Sequence, residues 1–465
     1  MLSTPQLADA LDGRLITPDH PEYDAARTVF LGGVDHRPAV IVRVASAADV
    51  ARVVALAGDT GQELAVRSGG HSAAGHGVSD GGIVLDLRDM RALEIDTERH
   101  TAWAETGLTT GEYTVAAAEH GLATGFGDAG SVGIGGITLG GGVGYLSRKH
   151  GLTIDDLLAA ELVTADGELV RVDAESHPDL FWAIRGGGGN FGVVTRFQFR
   201  LHPLDTIVGG TLILPATPDV IESFVAEAAA APEELSTIAN VMPAPPLPFL
   251  APEHHGRLVV MATLAYAGAV EDGERAVAPF RALATPIADM VRPMPYPEIY
   301  PPHDENYRPV AKFRNLFLDS VDRHAAETIL GRLETATATM AVTQLRVLGG
   351  AVARVPADAT AYAHRERRIM ANVGAIYERP DEQAVHEQWV TGLAAELRQG
   401  DPAAYVGFVG DEGEEGVRAA YPGSTWDRLG AIKARYDPDN LFRLNQNVPP
   451  AQSSRFGEDG ASARG

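Results

Sequence analysis

Between Gly133 and Gly144 the chain reads GIGGITLGGGVG, a stretch that few folds can use. Flexible linkers pair glycine with serine and other polar residues, whereas here it is interleaved with Ile134, Ile137, Leu139 and Val143. Apolar side chains favour burial, and glycine lets backbone approach closely whatever it packs on. The segment therefore reads as ordered, buried backbone, either lying against a ligand or forming a glycine-rich packing corner. Glycine is enriched from Gly121 to Gly192, one part of a chain of 465 residues that is long enough for two or three domains.

Short elements alternate on either side of this segment. Ala39–Val44, Glu63–Val66, Ile83–Leu87 and Ala102–Glu105 read as strands. Asp49–Gly61 carries Val50, Val53, Val54 and Leu56 at helical spacing and ends in glycine, and Thr109–His120 is a second helix closed by Gly121. From about Thr206 longer β-rich segments appear at Thr211–Leu214, Arg257–Tyr266, Thr339–Leu348 and Ile369–Tyr377, separated by helices such as Pro218–Ala231. The proline-rich runs Pro243–Pro252 and Pro293–Pro302 read as ordered surface loops and candidates to line a site. Asp427–Tyr436 is helical, and the small, polar tail 451–465 is expected to be disordered. Short strands and helices alternate up to Pro203, the pattern of an α+β or α/β fold.

Several chemistries are excluded at once. With no cysteine, disulfides, thiolate metal sites and cysteine nucleophiles are impossible. A net charge of −24 argues against nucleic-acid and anionic-membrane partners. Lys149, Lys312 and Lys433 are the only lysines, and no P-loop or G-x-S-x-G elbow occurs. Gly187, Gly189 and Gly192 match G-x-G-x-x-G, but a helical DLFWAIR precedes them and a strand-like VVTRFQF follows. That is the reverse of a dinucleotide fingerprint. MLSTPQLADALDGRL lacks the basic start and apolar run of a signal peptide, and no run approaches the roughly 20 apolar residues of a membrane span, so a cytoplasmic protein is expected.

The stretch RSGGHSAAGH at Arg67–His76 sets a histidine directly after two glycines. His71 and His76, even with Asp80 and Asp86 nearby, do not make a metal-ligand grouping, and no metal is expected. Successive amides in glycine turns instead make a nest for phosphate without any lysine. An imidazole at its edge would stand beside a bound cofactor.

VRSGGHS, IVLDLRDM, VGIGGITLGGGVGYLSRKHGLTIDDLLAAELVTADGELV and DLFWAIRGGGGNFGVVTRFQFRLHP together resemble the flavin domain of the vanillyl-alcohol oxidase/p-cresol methylhydroxylase superfamily. The closing YDPDNLFRLNQNV resembles the C-terminal signature of its berberine bridge enzyme-like branch. The resemblance implies a two-lobed FAD-binding domain split in sequence (1–205, with a C-terminal return over 411–450) and a substrate domain over 206–410 with an antiparallel sheet flanked by helices. It implies FAD with its pyrophosphate along Arg67, Ser68, Gly69, Gly70, Ser72, His76 and Gly77. The glycine segment contributes Gly130, Ser131, Val132, Gly135, Gly136, Gly140, Gly141, Gly142 and Tyr145. Gly192, Val193 and Val194 add to it, and Asn445 and Asn447 contact the flavin or position the chain around it.

In this family the histidine of R-S-G-G-H is bonded through a ring nitrogen to the 8α-methyl carbon of the flavin, so the resemblance makes His71 the covalent attachment point. Many relatives carry a second link through cysteine. The corresponding GFGDAGSVGIGG has none, leaving attachment through one histidine. Val132 falls at the family's oxygen-gate position. The family's catalytic glutamate aligns with Arg354, a poor general base. Tyr405 in AAYVGF matches the family's Y-V-N-Y element and becomes the candidate base, with Arg346 or Arg354 as the cation that would assist it. Gln344 and Arg346 alternate on one strand, share a face, and are open to substrate contact or to a surface role.

The resemblance implies an FAD-dependent oxidase that removes a hydride from a C–H bearing an alcohol or amine of a small sugar or secondary metabolite, with O2 reduced to H2O2. A dehydrogenase using another acceptor, and a flavin-binding protein without turnover, remain alternatives.

Overall fold

The computed structural model describes residues 11–302, 304 and 306–452, so most of the 451–465 tail lies outside the described residues. Three larger sheets organise them, beside a two-stranded pairing of Leu122–Ala123 with His202–Pro203. The first has four strands in the order Arg14–Ile16, Val40–Arg43, Ile83–Asp86 and Leu64–Arg67, the last three parallel. Helix Ala47–Thr60 packs Val50, Val53, Val54 and Ala57 against it. Ser46 caps this helix by accepting from Asp49 N–H, and Gly61 ends it at φ 66°. The buried Asp49 carboxylate in turn accepts from the N–H groups of Asp12, Gly13 and Ala45 at 2.9, 2.9 and 3.0 Å, tying the incoming chain to the helix start.

The second sheet has five antiparallel strands, in the order Leu93–Asp96, Thr101–Glu105, Val193–Arg200, Leu157–Val163 and Leu169–Asp173. Edge-to-face contacts among Tyr113, Phe126 and Phe199 form its aromatic core. Helix Thr110–Ala118 begins in a Thr109/Glu112 capping box, which satisfies donors at both ends of the first turn. Helix Pro178–Ile184 precedes Gly187–Gly192 and strand Val193–Arg200 follows, so the glycines connect a helix to a strand.

The third sheet has eight antiparallel strands. Its order is Ala288–Asp289, Thr206–Pro215, Leu258–Tyr266, Leu235–Pro243, Met340–Val347, Ile369–Tyr377 and Val310–Leu318, with Arg292–Pro295 also paired to Thr206–Pro215. Helices Pro218–Ala230, Arg323–Glu334 and Gln383–Leu397 bury one face of it, with Val390 and Leu393 among the fully enclosed side chains. The other face meets the two smaller lobes, where Arg346 reaches Asp128 at 2.6 Å and Asn315 accepts from Tyr405 N–H at 2.6 Å. This is the α+β architecture read from the sequence.

The proline-rich runs differ from expectation. Ala244, Leu247 and Leu250 of the first pack on Ile213 and Val259 and do not line the main cavity. The second forms strand Arg292–Pro295 and the short helix Tyr296–Ile299, with Tyr296 buried. Apolar residues between the prolines draw both runs into packing. Among the described residues no helix is long and apolar enough to cross a membrane.

Candidate cofactor and active site

One long cavity of about 420 Å³ runs between the lobes and the face of the large sheet. Its floor is the backbone of the two glycine segments. A Cβ on Gly69 would fall 2.2 Å from Gly133 N, and one on Gly133 2.2 Å from Gly69 N, so neither position admits any other residue. Ser68 joins them, donating to the Thr106 carbonyl at 2.7 Å and accepting from Gly135 N–H at 3.3 Å. A Cβ on Gly136 would meet nothing within 4 Å, and Gly135, Gly136, Ile137, Leu139 and Gly140 of helix Ile134–Gly140 line the cavity, so backbone can lie close to a bound group.

Arg67, Ser68, Gly69, Gly70, His71, Ser72, His76 and Gly77 line this cavity. So do Val132, Gly135, Gly136, Gly140, Gly192, Val193, Val194 and Asn445. Gly130, Ser131, Gly141, Gly142, Tyr145 and Asn447 do not. The Gly130 carbonyl is taken by Gly111 N–H at 2.8 Å. Tyr145 is buried beside Tyr300. Asn447 lines a neighbouring hollow shared with His76 and Asp411. Gly142, at φ 79°, points where a Cβ would fall 1.9 Å from Thr153 Oγ1, and its N–H donates to the Tyr405 hydroxyl at 3.0 Å. Gly141 lies against the rings of Tyr362 and Tyr405.

Arg67 is wholly buried, donating through Nη2 to Asp86 at 2.8 Å and to the Ala26 carbonyl at 2.5 Å. Burial opposes ionisation of Asp86, but Arg67 and Arg88 more than offset it and hold its carboxyl well below the usual range. Arg67 Nε and Nη1, Thr106 Oγ1 and Asn445 Oδ1 are buried without hydrogen-bond partners among the described residues, and all three residues line the cavity. His71 stands at one end with its ring stacked on Phe30, centroids 4.3 Å apart. Burial lowers the pKa of His76 and favours its neutral form.

At the sheet end, Tyr405 is buried and its backbone is pinned by Asn315. Burial raises its pKa, while the amides of Gly142 and Val143 and the Arg346 charge pull it down. Gln344 and Arg346 do share a face, Arg346 Nε donating to Gln344 Oε1 at 2.8 Å. Neither lines the cavity; Arg346 reaches it through Asp128, which does. Arg354 is exposed and paired with Glu233, so of the two candidate cations it is Arg346 that acts on Tyr405. Phe30, Asp128, Phe313, Asn372, Phe408 and Gln446 also line the cavity without having been singled out in the sequence. Asn372, a lone amide inside the apolar strand IMANVGAIY, was the one visible signal among them.

Glycine backbone beside unpaired buried donors, running on into an apolar-walled slot, suits a long cofactor with a pyrophosphate in its middle. Residues 38–173 match the FAD binding domain family, and residues 404–449 match the berberine and berberine-like family. (R)-6-hydroxynicotine oxidase of Paenarthrobacter nicotinovorans is 33% identical over 96% of this chain and 98% of its own length. The chain is a berberine bridge enzyme-like FAD-linked oxidoreductase. This flavoprotein is also similar to the xylooligosaccharide oxidase of Thermothelomyces thermophilus, at 28% identity over 93% of this chain and 91% of that one. Among solved structures, 6-hydroxy-D-nicotine oxidase from Arthrobacter nicotinovorans superposes with a TM-score of 0.85 at 29% identity, covering 97% of this chain and all (100%) of that one. FAD fits the flavoprotein's own residues. The glycine floor and Arg67, Thr106 and Asn445 would hold it, with His71 at one end and Tyr405 at the sheet.

Proposed function

We propose that this flavoprotein is an oxidase of small alcohols or amines, with FAD carried on His71 and substrate held against the large sheet of the 206–410 region. The observation supporting it most is that one cavity joins His71, the glycine floor and the buried hydroxyl of Tyr405. Bound FAD supplies the hydride acceptor and the means of passing electrons to O2, giving H2O2. The chain's own residues do the rest: Tyr405 takes the substrate proton and Arg346 favours its ionised form.

Attachment is tested by denaturing the protein in acid. Yellow colour stays with the polypeptide, a peptide containing His71 carries the mass of FAD, and His71→Ala releases the flavin. Flavin wholly in the supernatant of the wild type ends this reading.

Oxygen as acceptor is tested at Val132, whose backbone is fixed by Thr110 N–H at 2.8 Å while the residue lines the cavity. Val132→Leu adds a methylene to that wall and slows flavin reoxidation by air, leaving reduction by substrate nearly unchanged. Equal slowing of both half-reactions removes residue 132 from the oxygen path. Reoxidation of the wild type by a dye but not by air makes it a dehydrogenase.

A further inference from the structure

Four side-chain amides stand in one row across the middle of the large sheet. Asn240 opposes Gln344, Gln344 opposes Asn372, and Asn372 opposes Asn315. Directly opposed residues present their side chains on the same face. Three of the four are already committed. Gln344 donates to Asn240 Oδ1 at 2.9 Å and accepts from Arg346. Asn315 donates to the Ala371 carbonyl at 2.9 Å and accepts from Tyr405 N–H. Asn372 differs: it lines the cavity, and its buried Oδ1 has no hydrogen-bond partner among the described residues.

Two phenylalanines wall this end of the cavity. Phe313 lays its ring across Gly374, where a Cβ would fall 2.6 Å from the ring carbons. Phe408 meets Tyr405 edge-on at 5.2 Å, and both phenylalanines line the same cavity. The charges that reach this end are spent on each other, Arg346 on Asp128. A buried acceptor left unpaired is costly, and a site that keeps one gains from a ligand that brings the donor.

We propose that the sheet end of the cavity receives a neutral planar ring bearing one O–H or N–H group, which donates to Asn372 Oδ1, and that Asn372 thereby sets substrate specificity. Phe313 and Phe408 cover the ring. An ion would need a counter-charge that the Arg346–Asp128 pair has consumed, and a polyol would need more polar partners than Asn372 Oδ1 and the Tyr405 hydroxyl supply there. The inference rests on the cavity being the FAD-linked active site.

The test is binding of simple probes to the oxidised holoenzyme, read as a shift of the flavin absorbance with no turnover. Phenol and aniline bind more tightly than anisole and toluene by about 5- to 150-fold, the range for leaving a buried acceptor unpaired. Benzoate and glucose bind more weakly than phenol. In Asn372→Leu, checked for FAD content and cooperative melting, the phenol-to-anisole ratio falls to about one. Equal binding of phenol and anisole by the wild type overturns the proposal, as does preference for benzoate or glucose, or silence with every probe. A ratio unchanged in Asn372→Leu also overturns it, and the wild-type comparison decides even where the variant does not fold. Failure of His71 attachment or of oxygen reactivity leaves the probe ordering intact, so the two readings fail separately.

Discussion

Tyr405→Phe lowers the rate at which substrate reduces the flavin by about 10²- to 10⁴-fold, the contribution of a positioned acid–base group. The ring keeps its place, because Asn315 holds the backbone and Tyr362 and Phe408 pack around it. Only the hydroxyl that accepts from Gly142 N–H is lost, which costs about 1–3 kcal/mol of stability through the unpaired amide and leaves FAD content unchanged. The sign of the pH dependence follows from burial. With its pKa raised above the ordinary tyrosine value, Tyr405 is protonated at neutral pH, and its basic form grows only as pH rises. Flavin reduction in the wild type therefore accelerates with pH through the alkaline range, and in Tyr405→Phe that dependence is gone. Rapid-mixing absorbance under anaerobic conditions measures both. A loss of tenfold or less, with the alkaline rise retained, reduces Tyr405 to a binding role and transfers the proton step elsewhere.

The largest effect on stability is expected at Lys433. This residue lies on helix Ser424–Tyr436, has no solvent exposure, and donates to Asp437 at 2.6 Å and to the carbonyls of Asn190 and Phe442 at 2.7 and 2.9 Å. All three ammonium donors are used, and Asp437 accepts in turn from Leu441 and Phe442 N–H. Lys433→Met removes the cation and leaves a buried carboxylate uncompensated, costing about 3–5 kcal/mol. Urea unfolding measures the loss. Adding Asp437→Asn to Lys433→Met recovers part of it, because the stranded charge is the larger share of the penalty. A single-variant loss below about 1 kcal/mol contradicts the assignment, being the range of an exposed pair. The same lysine tethers Asn190 and Phe442, and Asn445 donates to the Gly189 and Phe442 carbonyls, so the variant also retains FAD less well.

What was legible in the sequence follows from which face of each element meets apolar core alone. Strand Ile369–Tyr377 is nearly continuous hydrophobe, and its ends match the expected ones. Strands Leu235–Pro243 and Val310–Leu318 are hidden in the sequence because Asn240, Lys312, Arg314 and Asn315 interrupt their apolar pattern. Two of those interruptions, Asn240 and Asn315, belong to the amide row beneath the cavity, so the residues that obscured the strands are part of what the sheet brings to the site. The glycine floor could be read directly, since close backbone approach demands glycine whatever the tertiary context. Asp128 and Phe30 could not, because their neighbours are distant in sequence: Arg346 lies 218 residues from Asp128. Motif resemblance puts Arg354 near Tyr405, but its exposed pairing with Glu233 removes it.

The cavity wall is closed by Phe442, Leu444, Asn445 and Gln446, which come back to residues laid down some 250 positions earlier, Asn445 to Gly189 across 256 residues. During synthesis the glycine floor leaves the ribosome long before its lid does. No nascent intermediate ending before this segment holds a complete pocket, so cofactor retention is expected only once residues 442–446 have emerged, and a truncation within helix Ser424–Tyr436 is expected to lower FAD content.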